Sequence, residues 1–313
     1  MQVHPDIAAL RRNDAPQRQA QAALADALRH WQDRPETGAA LADLARFADP
    51  AVPLGDCPAL ADMLAGAGRD WVQALIEALL PALAGEPLGH VPLRHFTNGI
   101  ISTLLLGRAG ETTLALVAVD GVALAQHPPG PSIGFAPLES HELVLAGHAS
   151  AELIEAPDAG VRQAIRLAPG QVIARNGARQ ALRLLAVDGC LVILRLQRRP
   201  RHGGVAHEVD LASGRLLHRS AGVMRESRHA LMIALLGRMG HTDAAPMLGA
   251  IAREDAADDL RWQALREGLG LDTASGFAAL CAVADRGDDP LAAPAGALRA
   301  QLLETYPALR GIA

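Results

Sequence analysis

The chain of 313 residues contains 29 basic residues, all of them arginine, and 34 acidic residues, which gives a formal charge of −5 at pH 7. The absence of lysine excludes a lysine Schiff base, a P-loop lysine and a lysine general base. The few aromatic residues and the negative charge balance argue against a nucleic-acid stacking platform, so we expect no nucleic-acid partner. Half of the residues are apolar, and the length suits two or three domains.

Residues 1–89 are predicted to form an N-terminal helical region. Apolar residues recur there at i, i+3 and i+4, which is the spacing of one helix face. The four segments with this spacing are residues 17–31, 38–47, 59–64 and 69–83. Prolines and glycines separate these segments as turns.

Residues 90–222 are predicted to form a β domain. Short apolar or alternating runs occupy residues 100–106, 112–119, 143–146, 151–154, 171–174, 181–187 and 191–196. The pairs Asp120-Gly121 and Asp188-Gly189 predict two-residue hairpins, because both central residues of a type I′ turn need positive φ. Seven or more strands at this spacing predict an antiparallel barrel or sandwich. With helices on either side, the expected fold class is α+β.

Residues 223–313 are predicted to return to helix. One helix is expected to end at Met239, where Gly240 stops it. Residues 227–255 can be laid over residues 260–287, a period that resembles HEAT-type helical hairpins. An ordinary helical subdomain with chance similarity stays open as the alternative.

The distribution of cysteines and apolar runs bears on the compartment. Cys57, Cys190 and Cys281 lie far apart and match neither a disulfide framework nor a CxxC metal site. The sequence does not start with a signal-like segment, and it has no uninterrupted apolar run of membrane-spanning length. We therefore expect a cytoplasmic protein without a membrane partner. The alanine-rich, lysine-free composition is typical of a GC-rich bacterial genome.

Two segments of the β region resemble the cupin family. Residues 132–147, Ser-Ile-Gly-Phe-Ala-Pro-Leu-Glu-Ser-His-Glu-Leu-Val-Leu-Ala-Gly, resemble the first conserved cupin segment, which ends in a valine-leucine-x-glycine turn. Residues 167–184, Leu-Ala-Pro-Gly-Gln-Val-Ile-Ala-Arg-Asn-Gly-Ala-Arg-Gln-Ala-Leu-Arg-Leu, resemble the second segment, which opens with a proline-glycine turn. The resemblance implies a central cupin-like antiparallel β-barrel or sandwich flanked by the two helical regions.

The sequence departs from the cupin pattern at the metal ligands. Catalytic cupins hold a divalent metal with two histidines and a glutamate from the first segment and one histidine from the second. The matching positions here carry Ile133, Phe135, Ser140 and Ala181, none of which supplies an imidazole or a carboxylate. The resemblance therefore implies a barrel without its usual metal. We expect no cofactor and no catalytic residue.

Two functions remain open at this point. The first is a non-catalytic binding or scaffold protein with an unknown small molecule or protein partner and with a homo-oligomer as an option. The alternative is a metal-dependent cupin oxygenase or isomerase with a non-standard ligand set. The candidate ligand pocket comprises Ser140, His141, Glu142 and Arg183, and the fallback metal ligands are His141, His148 and His207.

Strand geometry limits both sets of candidates. Adjacent residues on a strand point to opposite faces, so His141 and Glu142 cannot both reach one ion without a bulge. The sequence leaves open which strand face points inward. The basic run at residues 195–201 is interpreted as a solvated loop, with an anion or acidic-partner patch as the alternative.

Overall fold

The computed structural model describes residues 10, 13–156, 161–200 and 204–312. Helices and antiparallel sheets make up the regular structure, which confirms the predicted α+β class. The chain divides into two compact units. Unit 1 comprises the chain up to Arg199 together with Val209–Arg215, and unit 2 comprises Pro200–Glu208 together with the chain from Leu216 onward. The N-terminal helices and the main sheet thus share unit 1, and the division into three domains stays a prediction.

The N-terminal part of unit 1 is helical, as the apolar spacing predicts. Its helices are α1 (Ala15–Gln32), α2 (Pro35–Phe47), α3 (Pro58–Asp62), which continues into the π-helical turn Met63–Ala67, and α4 (Gly68–Gly85). Proline stands in the first turn of α1, α2 and α3, where its missing N–H leaves no helical hydrogen bond unmade. The rings of Trp31 and Trp71 lie 4.7 Å apart in the core between these helices.

The β region begins after α4 and contains ten strands with one short helix among the described residues. The elements are β1 (His95–Thr97), β2 (Ile101–Ala109), β3 (Thr112–Asp120), α5 (Gly121–Gln126), β4 (Ser132–Phe135), β5 (Glu139–Glu155), β6 (Arg162–Leu167), β7 (Val172–Asn176), β8 (Gln180–Arg198), β9 (Val205–Asp210) and β10 (Leu216–Ala221). The tip of the β9–β10 hairpin lies in unit 1, where the Leu211 N–H donates to the Pro131 carbonyl oxygen at 2.8 Å.

The main sheet is antiparallel, with the strand order β1-β2-β3-β8-β5-β6, and β7 also pairs with β5. The two central strands, β5 and β8, are long and pair over most of their length. The first half of β5 has β7 on its free edge, and the second half has β6 there. In the described residues this path of strands is open rather than a closed barrel. The two cupin-like segments do form neighbouring strands, which confirms the prediction of strands at 143–146 and 171–174.

Both sequence-predicted type I′ hairpins are wrong, for different reasons. Asp120 instead begins α5, because its carboxylate accepts hydrogen bonds from the N–H groups of Val122 and Ala123. Asp188-Gly189 lies inside β8, opposite the irregularity at Gly147 of β5. Gly147 and Gly189 have φ of 84° and 66°, so they bend the paired strands without ending them.

The two faces of the main sheet pack against different partners. One face carries Leu143, Leu194 and Leu196, which are buried against the N-terminal helices. The opposite face carries Val144 and Ile193, which pack in a separate apolar cluster with residues of other strands. Any polar residue on this second face therefore has apolar neighbours.

Unit 2 contains the C-terminal helices α6 (Met224–Met239), α7 (Ala245–Ile251), α8 (Asp258–Leu271), α9 (Thr273–Ala284) and α10 (Ala292–Thr305). The predicted end of α6 is confirmed, since Gly240 follows it with φ of 65°. Ile233, Leu248, Leu265, Phe277 and Leu280 are among its buried core residues. None of the described helices has the length and apolar character needed to cross a membrane.

Candidate ligand-binding site

The register of three strands brings polar side chains together on the second face of the sheet. Ser140 and Glu142 of β5 lie two residues apart and therefore share a face. On one side, Glu142 is directly opposite Arg195 of β8. On the other side, Ser140 is directly opposite Arg175 of β7. Three strands that are distant in sequence thus place two arginines around one carboxylate.

Glu142 is the centre of this polar group. Its side chain has no exposed surface. Its Oε1 atom lies 2.9 Å from Arg175 Nη2 and 2.7 Å from Arg195 Nε, and it accepts a hydrogen bond of 3.2 Å from the Ser140 hydroxyl. Burial by itself would raise the pKa of Glu142, but the charges of Arg195 and Arg175 and the two hydrogen bonds outweigh it and lower the pKa. The carboxylate is therefore ionised at neutral pH.

The hydrogen-bonding capacity of the cluster is only partly used. The second oxygen of Glu142, Oε2, is buried and has no hydrogen-bond partner. The buried Nε atoms of Arg175 and Arg195 also lack a hydrogen bond; the Arg195 Nε–H is close to Oε1 but is not directed at it. The Arg175 and Arg195 side chains are 12% and 27% exposed, so they connect the buried carboxylate with the solvent.

His141, a predicted pocket residue, lies on the opposite face of β5. Its Nε2 atom lies 2.8 Å from Glu139 Oε1, and its ring meets the edge of Phe47. Arg198 completes this group and donates hydrogen bonds to Glu139. Because residues alternate between faces along a strand, His141 belongs to the side that the N-terminal helices cover and cannot join Glu142.

Arg183, the fourth predicted pocket residue, is also separate from Glu142. Its guanidinium lies 3.5 Å from the Glu152 carboxylate. It also donates hydrogen bonds to the carbonyl oxygens of Pro129 and Gly130, at 3.2 and 2.8 Å. Arg183 therefore holds the loop before β4. Of the four predicted residues, the structure brings together only Ser140 and Glu142.

The residues at the cupin metal positions do not fit a metal ion. Phe135 and Ala181 are buried in one apolar cluster, and Ile133 packs against it. Ser140, at the remaining one of the four positions, donates a hydrogen bond to Glu142. These side chains offer no imidazole or carboxylate, and the four positions therefore lack the ligands of a divalent metal.

The fallback histidines do not supply a replacement set in the part of the chain that the structure describes. His148 is exposed on β5, and His207 lies on β9 in unit 2. Within the described residues, no group of three or more His, Cys, Asp or Glu side chains is placed so that it could hold a metal ion.

Sequence reasoning missed Arg175 and Arg195 as site residues. The basic run at residues 195–201 predicts a solvated loop, but Arg195 lies in β8, which continues to Arg198. Residues 201–203 fall outside the described residues. Arg175 sits in the second cupin-like segment without any local signal of its own. The alternation of side chains within β7 and β8 places Arg175 and Arg195 each on one face of its strand. Only the strand register shows that this is the face of Glu142.

No protein-family model matches the sequence, and no curated protein matches it. The solved structures that align with it include a cupin superfamily protein from Desulfitobacterium hafniense, at 15% identity over 34% of this chain and 83% of that chain, with a TM-score of 0.24. They also include the formate complex of Lactobacillus farciminis oxalate decarboxylase, at 15% identity over 40% of this chain and 38% of that chain, with a TM-score of 0.27.

A variant of Streptomyces PAC13 with uridine aligns at 13% identity over 35% of this chain and 85% of that chain, with a TM-score of 0.24. Because these TM-scores are below 0.5, no residue role is carried over from those proteins. The chain thus aligns with structures that include cupin superfamily proteins, and its site is defined by its own residues.

Proposed function

We propose that the protein is a non-catalytic binding protein whose cupin-like sheet holds a small molecule at Glu142, Arg175 and Arg195. The observation that carries the proposal is the Oε2 atom of Glu142, which is buried without a hydrogen-bond partner beside two partly exposed arginines. Leaving a buried charged acceptor unpaired costs free energy, and a bound molecule that donates a hydrogen bond removes this cost.

The apolar character of the cupin metal positions supports binding rather than metal catalysis. Phe135 and Ala181, at two of these positions, are buried in an apolar cluster together with Ile154. Elemental analysis of the protein purified without a metal-binding tag tests this point. We expect far less than one equivalent of iron, manganese, zinc or nickel. About one equivalent of any of them would favour the alternative, a metal-dependent oxygenase or isomerase.

The C-terminal helices are proposed as HEAT-like hairpins that carry contacts with a protein partner or a second copy of the chain. The packing within unit 2 supports this: α6 packs on α8, and α7 packs on α9, so equivalent helices of the two proposed hairpins are neighbours. The cytoplasmic location is proposed on the three free thiols, Cys57, Cys190 and Cys281. Light scattering at several concentrations tests the oligomer.

Native mass spectrometry of the protein as purified tests small-molecule binding. We expect an additional mass that is lost on denaturation, or a raised melting temperature with members of a panel of small metabolites. The Arg195→Gln variant should lose both signals. Arg199→Gln is the matched control, because Arg199 is exposed next to the end of the same strand. Absence of any bound mass and of any stabilising compound would contradict the proposal.

A further inference from the structure

We propose that the ligand of the Glu142 site is a small hydroxycarboxylate, a molecule with a carboxylate and a hydroxyl on neighbouring carbons. The inference rests on the proposed function, because it names the ligand class of the same site. Each half of this ligand is matched to a different feature of the cluster: its carboxylate to the arginines and its hydroxyl to the free oxygen of Glu142.

The net charge of the cluster is matched by one anionic group on the ligand. Arg175 and Arg195 both contact Glu142 Oε1, so two positive charges share one negative charge. One positive charge is left over beside a fully buried carboxylate, on two side chains that are 12% and 27% exposed. A carboxylate is planar and accepts two parallel hydrogen bonds from a guanidinium, and it would neutralise this remaining charge.

The free oxygen of Glu142, Oε2, can accept a hydrogen bond from a donor group of the ligand that lies next to the ligand's carboxylate. Oε1 accepts hydrogen bonds from Arg175 and the Ser140 hydroxyl and lies 2.7 Å from Arg195 Nε, whereas Oε2 has no hydrogen-bond partner. Because both oxygens belong to one carboxylate, a donor on Oε2 lies beside the groups that hold the ligand's anion. A hydroxyl on the neighbouring carbon fits this arrangement. An ammonium in its place would leave the positive charge uncompensated, since an amino acid has no net charge.

The neighbouring side chains do not fill either role. Gln197 directs its amide towards the Ser140 hydroxyl at 3.5 Å, and Ser140 donates to Oε1. Ile173, opposite Glu142 on β7, is buried and apolar. The polar part of the site is therefore small, and its apolar borders suit a compact ligand with a short hydrocarbon part.

Three probes that share a three-carbon skeleton separate the two roles. Lactate carries both groups, propionate lacks the hydroxyl, and propane-1,2-diol lacks the carboxylate. We expect ligand-observed NMR titrations to give lactate about tenfold tighter binding than propionate, which is the expected value of one hydrogen bond to a charged group. Propane-1,2-diol should bind more weakly than propionate.

The outcomes distinguish this inference from the proposed function. Alanine and inorganic phosphate are titrated as two further probes of the ligand class. If either of them, or propane-1,2-diol, binds more tightly than lactate, the site binds small molecules but the ligand class is wrong. If propionate equals lactate, the role of Glu142 Oε2 is wrong. If no probe binds and no metabolite of the panel raises the melting temperature, both the proposed function and this inference are wrong.

Variants locate the effect without relying on a residue whose loss could unfold the chain. Arg195→Lys keeps the charge but removes the planar fork, and we expect it to weaken lactate and propionate binding by a similar factor. Arg199→Lys, at the exposed position, should leave both dissociation constants unchanged. Equal lactate binding by the wild type and Arg195→Lys would overturn the assignment. The comparison of the three probes on the wild type stands without any variant.

Discussion

Strands β5 and β8 carry an arginine–glutamate group on each of their two faces, and the groups differ in how fully their hydrogen bonds are used. On the helix-covered face, Arg198 donates to Glu139 and to the carbonyl oxygens of Phe47, Asp49 and Val52, at 3.0, 2.9 and 2.7 Å for the three carbonyls. Its guanidinium also lies 4.0 Å from the centre of the Phe47 ring. This group is saturated.

On the other face, Arg175 and Arg195 share one oxygen of Glu142 and leave its second oxygen free. The two groups have the same chemistry. The saturated group holds strand and loop together, and we propose that the group with unused donors and acceptors binds a ligand. Charged residue types alone do not separate the two roles. The difference depends on where the remaining hydrogen bonds end, and the following experiments test it.

The largest expected effect follows from Glu142→Gln. Removing the carboxylate that Arg175 and Arg195 share leaves the two arginines without this counter-charge, and breaking such a buried group costs about 3 kcal/mol of unfolding free energy. Urea denaturation measures this loss. Glu155→Gln, on the exposed end of β5, is the control and should change little. A loss below about 1 kcal/mol would show that the cluster is solvated rather than buried.

The next largest effect is expected for Arg198→Met, which removes the donor to three carbonyl oxygens. We expect the unfolding free energy to fall by about 2 kcal/mol, with faster hydrogen exchange in the loop that follows α2. Ligand binding at the Glu142 site should be unchanged, because Arg198 lies on the other face. Weaker lactate binding in Arg198→Met would mean that the two faces are not independent.

Acid should weaken both groups, and the Glu142 group more. Burial would raise the pKa of Glu139, but His141 and Arg198 lower it below 4.5, and the pKa of Glu142 is also lowered. A lowered folded-state pKa contributes stability above the unfolded-state pKa, and this contribution is lost as the pH falls through the folded-state pKa. Denaturation curves at a series of pH values below 4.5 should therefore show falling stability. Glu142→Gln should flatten this dependence more than Glu139→Gln, and the reverse order would contradict the comparison.

The smallest effect is expected for Glu139→Gln at neutral pH. The Glu139 side chain is 37% exposed, so solvent screens its ion pair, and Arg198 keeps its three carbonyl acceptors. We expect a loss of about 0.5 kcal/mol by urea denaturation, with Arg198→Met serving as the large-effect reference. A loss as large as that of Glu142→Gln would mean that the helix-covered face depends on its ion pair rather than on its hydrogen bonds to the backbone.

Part of the candidate site was predictable from local sequence. Ser140 and Glu142 are both predicted pocket residues, and their spacing of two residues places them on one face of any strand. The same rule places His141 on the opposite face. The sequence does not show which of the two faces the N-terminal helices cover. Arg183 is a charged residue of the second cupin-like segment, but nothing in its local sequence points to its partner Glu152 on another strand.

The sequence by itself determined the local features: the α+β class from the change of apolar period, the proline-led helix starts, the end of α6 at Gly240 and the lack of metal ligands at the cupin positions. Only the tertiary structure decided that Gly189 bends a strand rather than ending it, and that Arg175 and Arg195 meet Glu142. The physical reason is that helix ends depend on hydrogen bonds between near neighbours. Strand register is set by side-chain packing between segments far apart in the chain, which local sequence does not encode.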